Sequence, residues 1–172
     1  MHGSKHLTAA FLFGRVFAPF EMVIRQTSTE TWTSYYPPSK NDPFDVTFRQ
    51  GVLSGRRLFV EIAARNKNLA PGVDSLVAET GIEPSVRLQL YPKDGPLDAD
   101  NALGRAMVRQ AYAAIERVMQ TEQVAEVHLF VAAQQAFMVL LGREMKGMPE
   151  THLYEWNGNQ YVHSCTVPGG VI

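Results

Sequence analysis

The sequence has little cysteine, little excess charge and no long apolar run, and each shortage excludes a class of protein. Cys165 is the one cysteine in 172 residues, so a disulfide scaffold is excluded and a cytoplasmic location is predicted. Sixteen basic residues stand against seventeen acidic ones, which argues against a long nucleic acid as partner. The apolar run Ala136–Leu141 is far shorter than the ~20 residues of a membrane span, so no membrane partner is expected.

The usual sequence signals of catalysis are also missing. We find no glycine-rich phosphate loop, no strand-to-helix nucleophile elbow and no paired-carboxylate motif. From these missing motifs we predict no catalytic residue and no cofactor. The N-terminal stretch also lacks the pattern of a signal peptide. Because the net charge is −1, any anionic ligand must be bound by local groups rather than by a basic surface.

From Arg56 to Thr166 the hydrophobic pattern alternates between strands and helices. The pattern predicts an α/β fold of the Rossmann-like type, with a mostly parallel sheet, flanking helices and a C-terminal hairpin. The hairpin turns at Asn157-Gly158, a pair favoured in tight turns. The predicted strands are Arg57–Ala64, Val86–Leu90, Val127–Val131, Thr151–Trp156 and Tyr161–His163, and the predicted helices are Ala70–Thr80, Asp98 or Asp100 to Thr121, and Gln134–Leu141.

The beginning of the chain has the same pattern of residue types as a later stretch. Gly14-Arg15 and Gly142-Arg143 each end an apolar helical pattern and precede a proline and a strand, although coincidence is an alternative explanation. If the repeat is real, residues 1–33 are the end of a preceding α/β unit, 34–55 are a linker and 56–172 are a second unit. The aromatic residues before the linker are then expected to anchor it by packing; these are Trp32, Tyr35 and Tyr36.

Two loops leave the carboxyl ends of predicted strands, which is where open α/β sheets bind ligands. Positive charge in the first loop would attract an anion. Small residues and the start of a helix in the second would let the backbone approach a phosphate. The candidate ligand-binding residues are therefore Arg65, Asn66, Lys67 and Asn68 of the first loop, Ala132, Ala133, Gln134 and Gln135 of the second, and Lys93 in the turn after the second strand.

Each of these segments also has a plainer interpretation. The first loop can be a solvated turn, the second an ordinary helix start, and Lys93 a surface lysine. A binding role requires that the fold place the two loops side by side.

Histidines outside the loops give a weak metal signal. His163 and Cys165 lie two positions apart, with His152 on the neighbouring strand, but a fourth ligand and closely spaced pairs are missing. We therefore predict no metal site. His128 begins an apolar strand and is expected to be a hydrogen-bonded histidine at the margin of the core rather than a catalytic base.

Several of these stretches together resemble one protein family. The segment His128–Ala136, followed by Leu140–Arg143, His152–Glu155 and Tyr161-Val162, is similar to the C-terminal core of SAVED domains. SAVED domains are sensor modules fused to varied effectors in CBASS and type III CRISPR antiviral systems. The opening segment Ala10–Gln26 resembles the end of that family's first half.

The resemblance implies two CARF-like (Rossmann-like) halves that bind a cyclic oligonucleotide second messenger. It places the ligand surface on the loops Arg65–Asn68 and Ala132–Gln135. It also implies that an effector domain or subunit is supplied elsewhere and is activated by the ligand, often through self-association.

Two other functions stay open at this point. The chain could be a ring nuclease that degrades a cyclic oligonucleotide, although neither loop contains a carboxylate or a histidine and only Asp94 lies near. It could also be a structural subunit that docks onto an effector through an exposed sheet end.

Overall fold

The computed structural model describes residues 7–25, 28–35, 37–38, 40, 42–52, 55–64, 68–94, 97 and 100–170. These residues form four helices and eight strands. In chain order they are α1 (Leu7–Val16), β1 (Val23–Arg25), β2 (Thr31–Thr33), β3 (Phe44–Gln50), β4 (Arg57–Ala63), α2 (Ala70–Thr80), β5 (Val86–Pro92), α3 (Asn101–Thr121), β6 (Glu126–Ala132), α4 (Gln135–Glu144), β7 (Glu150–Trp156) and β8 (Tyr161–Val167).

The main sheet has six strands in the order β3-β5-β4-β6-β7-β8. Its four inner strands are parallel, and the two outer strands β3 and β8 are antiparallel to their neighbours. Strands β1 and β2 pair with each other in a separate antiparallel sheet. The predicted α/β class, with a mostly parallel sheet and a C-terminal hairpin, is confirmed.

Local sequence signals set the ends of the helices. Helix α2 has Pro71 in its first turn and ends at Gly81, whose φ of 68° is the left-handed conformation that favours glycine. Helix α3 begins after Asp100, whose carboxylate accepts a hydrogen bond of 2.8 Å from the amide of Leu103. Of the two predicted starts of this helix, Asp98 and Asp100, the structure has Asp100 as the N-cap residue. Among the described helices, none is long and apolar enough to cross a membrane.

Helices cover both faces of the sheet. Helices α1, α3 and α4 pack on one face, around a large core that includes Phe11, Met107 and Phe137. Helix α2 packs on the other face, over a smaller aromatic core around Phe59 and Phe130. The connections from β4 and from β6 therefore run over opposite faces, although the two strands are neighbours. Such a switch point is where open α/β sheets form a crevice.

Strand β3 corrects one prediction. We interpreted residues 34–55 as a linker, but Phe44–Gln50 forms the outer strand of the main sheet and pairs along its whole length with β5. The sequence analysis missed it because most of its side chains are exposed and polar, and edge strands often carry charge on their open side. The three prolines before it, Pro37, Pro38 and Pro43, are typical of a loop and favoured the linker interpretation.

Trp32 has the anchoring role that was expected for it. Its side chain is fully buried and packs where Gly104 of α3 leaves room; a Cβ atom at position 104 would lie only 2.2 Å from the indole ring. Tyr35, by contrast, is exposed, and Tyr36 lies outside the described residues. Only one of the three aromatic residues is therefore seen to pack.

Helices α1 and α4 cross closely through the two glycines that the sequence repeat singled out. A Cβ atom on Gly14 would lie 1.8 Å from the carbonyl oxygen of Val139, and one on Gly142 would lie 2.1 Å from that of Phe11. Each glycine thus faces the residue three positions before the other glycine.

The two arginines that follow these glycines continue the exchange. Arg15 donates a hydrogen bond of 3.1 Å to the carbonyl of Met145, just beyond α4. Arg143 donates one to the carbonyl of Phe20, beyond α1. The two Gly-Arg segments therefore make matching contacts with exchanged roles.

Candidate functional site

At the carboxyl end of the sheet, the strand ends from which the two predicted loops start lie side by side. Ala63 at the end of β4 pairs with Ala132 at the end of β6. One residue further on, the amide of Ala64 donates a hydrogen bond of 2.9 Å to the carbonyl of Ala132. The carbonyl of Ala64 accepts a bond of 2.8 Å from the amide of Leu97, which holds the approach to α3 beside the same strand end. The loops that follow β4 and β6 therefore start side by side, as a binding role requires.

The second loop presents a small backbone and two amide side chains. Ala132 and Ala133 are partly exposed and Gln135 is exposed. Gln134 is the N-cap residue of α4, but its side chain makes no capping hydrogen bond. Its Oε1 atom is buried and has no hydrogen-bond partner among the described residues. Because a buried polar atom without a partner is costly, this amide is suited to a ligand that would complete its bonding.

The other predicted residues fall into three groups. Arg65, Asn66 and Lys67 lie outside the described residues. Asn68 is exposed, but its Oδ1 atom accepts a hydrogen bond of 3.1 Å from the amide of Ala70, which forms a local turn just before α2. Lys93 is exposed after β5, which neighbours β4 on the side away from β6.

A buried carboxylate, which the sequence analysis did not single out, lies at the centre of β4. Glu61 is fully buried on the α2 face. It accepts hydrogen bonds from the guanidinium of Arg87, from Gln89 at 3.2 Å and from the hydroxyl of Tyr91 at 2.9 Å. Burial, reinforced by the negative charge of Glu61, raises the pKa of Tyr91, which therefore stays a protonated donor. The sequence did not indicate a role for Glu61 because its neighbours along β4 are apolar and the stretch has the pattern of an ordinary buried strand.

The same network holds the first loop where it enters α2. The hydroxyl of Tyr91 accepts a hydrogen bond of 3.3 Å from the amide of Leu69, and Arg87 donates one of 3.3 Å to the carbonyl of Ala70. Arg87 also pairs with Asp74 in the first turns of α2. Glu61 therefore fixes, through its partners, the C-terminal end of the loop that contains Arg65–Asn68.

A cavity of about 400 Å³ lies at the amino end of the sheet, where β4 and β6 begin. Arg57 of β4 and Glu126 and His128 of β6 line it, and residues of α2 and of the β7–β8 hairpin line its sides. A second cavity of about 210 Å³ lies on the outer side of α3. The described residues of the carboxyl end line neither cavity.

His128 is hydrogen-bonded in the core, as expected. Its side chain is 3% exposed, and its Nδ1 atom lies 2.9 Å from the hydroxyl of Tyr154. Burial, with a smaller contribution from the nearby His152, lowers the pKa of His128 to about 4. Its imidazole is therefore neutral at pH 7. The pKa of Glu126 is also below its ordinary value: burial opposes this, but hydrogen bonds from Arg57 and His128 outweigh it.

The combination of His152, His163 and Cys165 does not form a cluster in this fold. A bulge in β7–β8 pairs Leu153 with Cys165 but Tyr154 with His163, so His163 and Cys165 point to opposite faces. Cys165 packs against the large core, whereas His163 lines the cavity at the amino end. An unbroken two-residue alternation along β8 would place His163 and Cys165 on one face, but the bulge interrupts that alternation.

Comparison with known proteins gives one family. The family model of the SAVED domain, "SMODS-associated and fused to various effectors sensor domain", matches residues 1–167. A curated relative, CD-NTase-associated protein 4 of an Acinetobacter species, is 28% identical over 90 residues, which are 52% of this chain and 19% of the relative.

Solved structures show the same fold. The Acinetobacter baumannii Cap4 SAVED/CARF-domain containing receptor with the cyclic trinucleotide 3′3′3′-cAAA superposes with a TM-score of 0.82 at 20% identity, over 93% of this chain and 36% of the receptor. The same receptor with 2′3′3′-cAAA gives a TM-score of 0.80 at 21% identity, with the same coverage of both chains.

A receptor from Moraxella osloensis, also a Cap4 SAVED/CARF-domain protein, gives a TM-score of 0.72 at 18% identity, over 95% of this chain and 35% of that one. The chain therefore spans about a third of the length of these receptors. The family-model match over residues 1–167 shows that this chain belongs to the SAVED domain family.

Proposed function

We propose that this SAVED domain is a sensor module that binds a cyclic oligonucleotide at the carboxyl end of its sheet. The observation that carries the proposal is the pairing of Ala63 with Ala132, which sets the loops after β4 and β6 side by side at the switch point. The relatives support the class of ligand, since two of the similar receptor structures contain cyclic trinucleotides.

The residues at this end offer complementary groups for such a ligand. The start of α4 carries the positive end of a helix dipole, and Ala132 and Ala133 are small enough for a phosphate to come close. Arg65 and Lys67 would add charge-assisted bonds to phosphate oxygens. Gln134 and Gln135 supply amides that can bond a base edge or a ribose hydroxyl, and the unpartnered Oε1 of Gln134 is the clearest candidate.

Calorimetric titration with cyclic di-, tri- and tetranucleotides tests this proposal. At least one ligand should give saturable heat, and Arg65→Ala or Lys67→Ala should each weaken its binding by about 1.5–3 kcal/mol. The exposed Arg117 of α3 is a matched control, because Arg117→Ala removes the same charge far from the proposed surface. Absence of heat with every ligand, or equal losses in the control, would contradict the proposal.

We further propose that the sensor acts on an effector domain or subunit through self-association, in cytoplasmic antiviral defence of the CBASS or CRISPR kind. A row of exposed aromatic side chains on and after α1 supports a contact surface; Phe13 is 50% exposed, Phe17 40% and Phe20 63%. Light scattering should show a larger assembly with ligand than without it. Phe13→Ser combined with Phe20→Ser should abolish that increase while leaving ligand binding intact.

We also propose that residues 1–33 are the end of one CARF-like half and that β3 onwards forms the other. The exchanged contacts of Gly14-Arg15 and Gly142-Arg143 support this division, because equivalent helices of two similar halves would meet in that reciprocal way.

Binding without catalysis is part of the proposal. In the described segments just after β4, β5 and β6, Asp94 is the only carboxylate and no histidine occurs. Incubation with a radiolabelled cyclic trinucleotide should therefore return the ring intact. A linear product that disappears in Asp94→Asn would establish the ring nuclease instead.

A further inference from the structure

Two neighbouring parallel strands begin with the same short motif, and nothing in the proposed nucleotide site uses it. Strand β6 starts Glu126-Val-His128 and strand β7 starts Glu150-Thr-His152. The strands pair in register, so Glu126 lies opposite Glu150 and His128 opposite His152. Because side chains alternate along a strand, all four point to the same face, which is the face covered by α2.

The side chains of Glu126, His128 and His152 meet at the amino end of the sheet. One potential ligand atom from each lies within 4.8 Å of the other two. The imidazole rings of His128 and His152 stack with centroids 4.5 Å apart, and the Nε2 atom of His128 lies 3.4 Å from a carboxylate oxygen of Glu126.

Hydroxyl groups on the neighbouring residues orient both imidazoles. The Nδ1 atom of His128 lies 2.9 Å from the hydroxyl of Tyr154, and the Nδ1 atom of His152 lies 3.1 Å from the hydroxyl of Thr166. Metal-binding histidines are characteristically held through their second ring nitrogen in this way, which leaves the first free to coordinate.

One of the two remaining nitrogens has no hydrogen bond. The Nε2 atom of His152 is buried, and although Glu150 Oε1 lies 3.1 Å away, the approach lacks hydrogen-bond geometry. His152 thus combines a buried ring nitrogen that has no hydrogen bond with a position in the cluster of Glu126 and His128, and this combination points to a missing partner.

We propose that Glu126, His128 and His152 bind a divalent transition-metal cation of the zinc class. Two imidazoles and one carboxylate are the ligand set of many three-residue zinc sites, in which the fourth position is left to water or a small ligand. The cavity of about 400 Å³ beside the cluster has room for that fourth ligand. Ligand bonds of ~2.0–2.1 Å require the three side chains to close in, and the two stacked imidazoles must rotate so that their nitrogens converge on one ion.

Neighbouring charges tune this site in opposite directions. Arg57 lies 3.0 Å from Glu126 Oε2, but its side chain is 40% exposed and the carboxylate has a second oxygen for the cation. Glu150 adds negative charge beside His152. Removal of the arginine charge should therefore strengthen metal binding, whereas removal of the Glu150 charge should weaken it.

Zn²⁺ titration of the chelator-treated protein, in competition with a chromophoric chelator, tests the site. His2 and His6 are replaced by alanine in every variant, because N-terminal histidines could bind the ion themselves. We expect one tight equivalent, and a loss of affinity of at least about tenfold in both His152→Ala and Glu126→Gln. Co²⁺ should give the visible absorption of a four- or five-coordinate ion, and both substitutions should remove it.

The matched control is Glu79→Gln, the same chemical change at an exposed residue that lines the same cavity. It should leave Zn²⁺ affinity unchanged, and Arg57→Gln should increase it. Circular dichroism of the metal-free variants verifies folding; if His152→Ala does not fold, the more exposed Glu126 provides the test through Glu126→Gln. Absence of a tight equivalent, or affinity that neither substitution lowers, would overturn the proposal. Nucleotide binding at the other end of the sheet is measured separately and does not affect this outcome.

Discussion

The two ends of one sheet differ in the chemistry that they offer. The carboxyl end combines small residues, the start of α4 and the amides of Gln134 and Gln135, and its described residues line no large cavity. The amino end combines stacked histidines and carboxylates beside a cavity of about 400 Å³. The first end suits an extended anionic ligand that lies across two loops, and the second suits a compact cation. The larger cavity therefore lies at the end of the sheet opposite to the proposed nucleotide-binding surface.

The comparison also separates two ways of building a site. At the carboxyl end, the proposed nucleotide binding depends on where the loops leave the sheet, so the strand order is decisive. At the amino end, the proposed metal binding depends on which side chains share a face, so the register of β6 with β7 is decisive. Single substitutions can therefore disturb one end of the sheet at a time.

The largest effect is expected from Glu61→Ala, which removes the buried carboxylate that anchors the first loop. Arg87 would be left without its buried partner, and the free energy of unfolding should fall by about 3–5 kcal/mol in urea denaturation. Glu83→Ala, at an exposed position, should change it by less than about 0.5 kcal/mol. A loss in Glu61→Ala no greater than in the control would show that the network contributes no stability.

Acid should act mainly on the amino end. The pKa of His128 is lowered to about 4 in the folded protein, against 6.5 when unfolded, so the unfolded state binds more protons between these values. The contribution of His128 to the free energy of unfolding is therefore fully present above pH 6.5 and is lost as the pH falls towards 4. The loss is about 2 kcal/mol at pH 5. Glu126 shifts in the same sense.

Urea denaturation of the chelator-treated protein at pH 8 and pH 5 measures this difference, and His128→Gln should reduce it. An equal pH dependence in wild type and variant would show that His128 is not the group responsible.

Gly142→Ala tests the crossing that holds α4, whose first turn forms part of the carboxyl end. The new methyl group would lie 2.1 Å from the carbonyl oxygen of Phe11, so the helices must separate. The expected cost is about 1–3 kcal/mol in the free energy of unfolding. Arg117→Ala, at an exposed position of α3, should be close to neutral in the same denaturation experiment. A neutral Gly142→Ala would refute the close-packed crossing.

The smallest effects are expected when both ligands are measured on one variant from each end of the sheet. Gln134→Ala should weaken cyclic oligonucleotide binding by about 1 kcal/mol or more, through loss of a ligand hydrogen bond, while leaving Zn²⁺ affinity unchanged. His152→Ala should do the reverse. Calorimetry with both ligands on both variants completes the comparison, and an effect of either substitution on both ligands would show that the ends are not independent.

Much of the fold could be predicted because its signals are local. Pro71 and Gly81 mark the ends of α2, Asp100 marks the start of α3, and the helix Ala70–Thr80 lies where the pattern placed it. The edge strand Phe44–Gln50 escaped because an outer strand with exposed polar side chains resembles a loop.

The candidate sites divide along the same line. The loops after β4 and β6 were found because strand ends are visible in the pattern, and only their adjacency needed the structure. The proposed metal site could not be predicted because it depends on pairing between strands. The repeated Glu-x-His motif is present in the sequence, but its two copies come together only because β6 and β7 are parallel neighbours in register. The position of Cys165 also depends on strand pairing. A bulge in β7–β8 turns its side chain to the face opposite that of His163.

Hydrogen exchange with and without a cyclic trinucleotide reports which end of the sheet the ligand protects. If the ligand binds at the carboxyl end, exchange should slow in peptides that cover residues 64–69 and 132–138, with little change at 126–128 and 150–153. Protection confined to the amino-end peptides, with none at residues 132–138, would contradict binding at the carboxyl end.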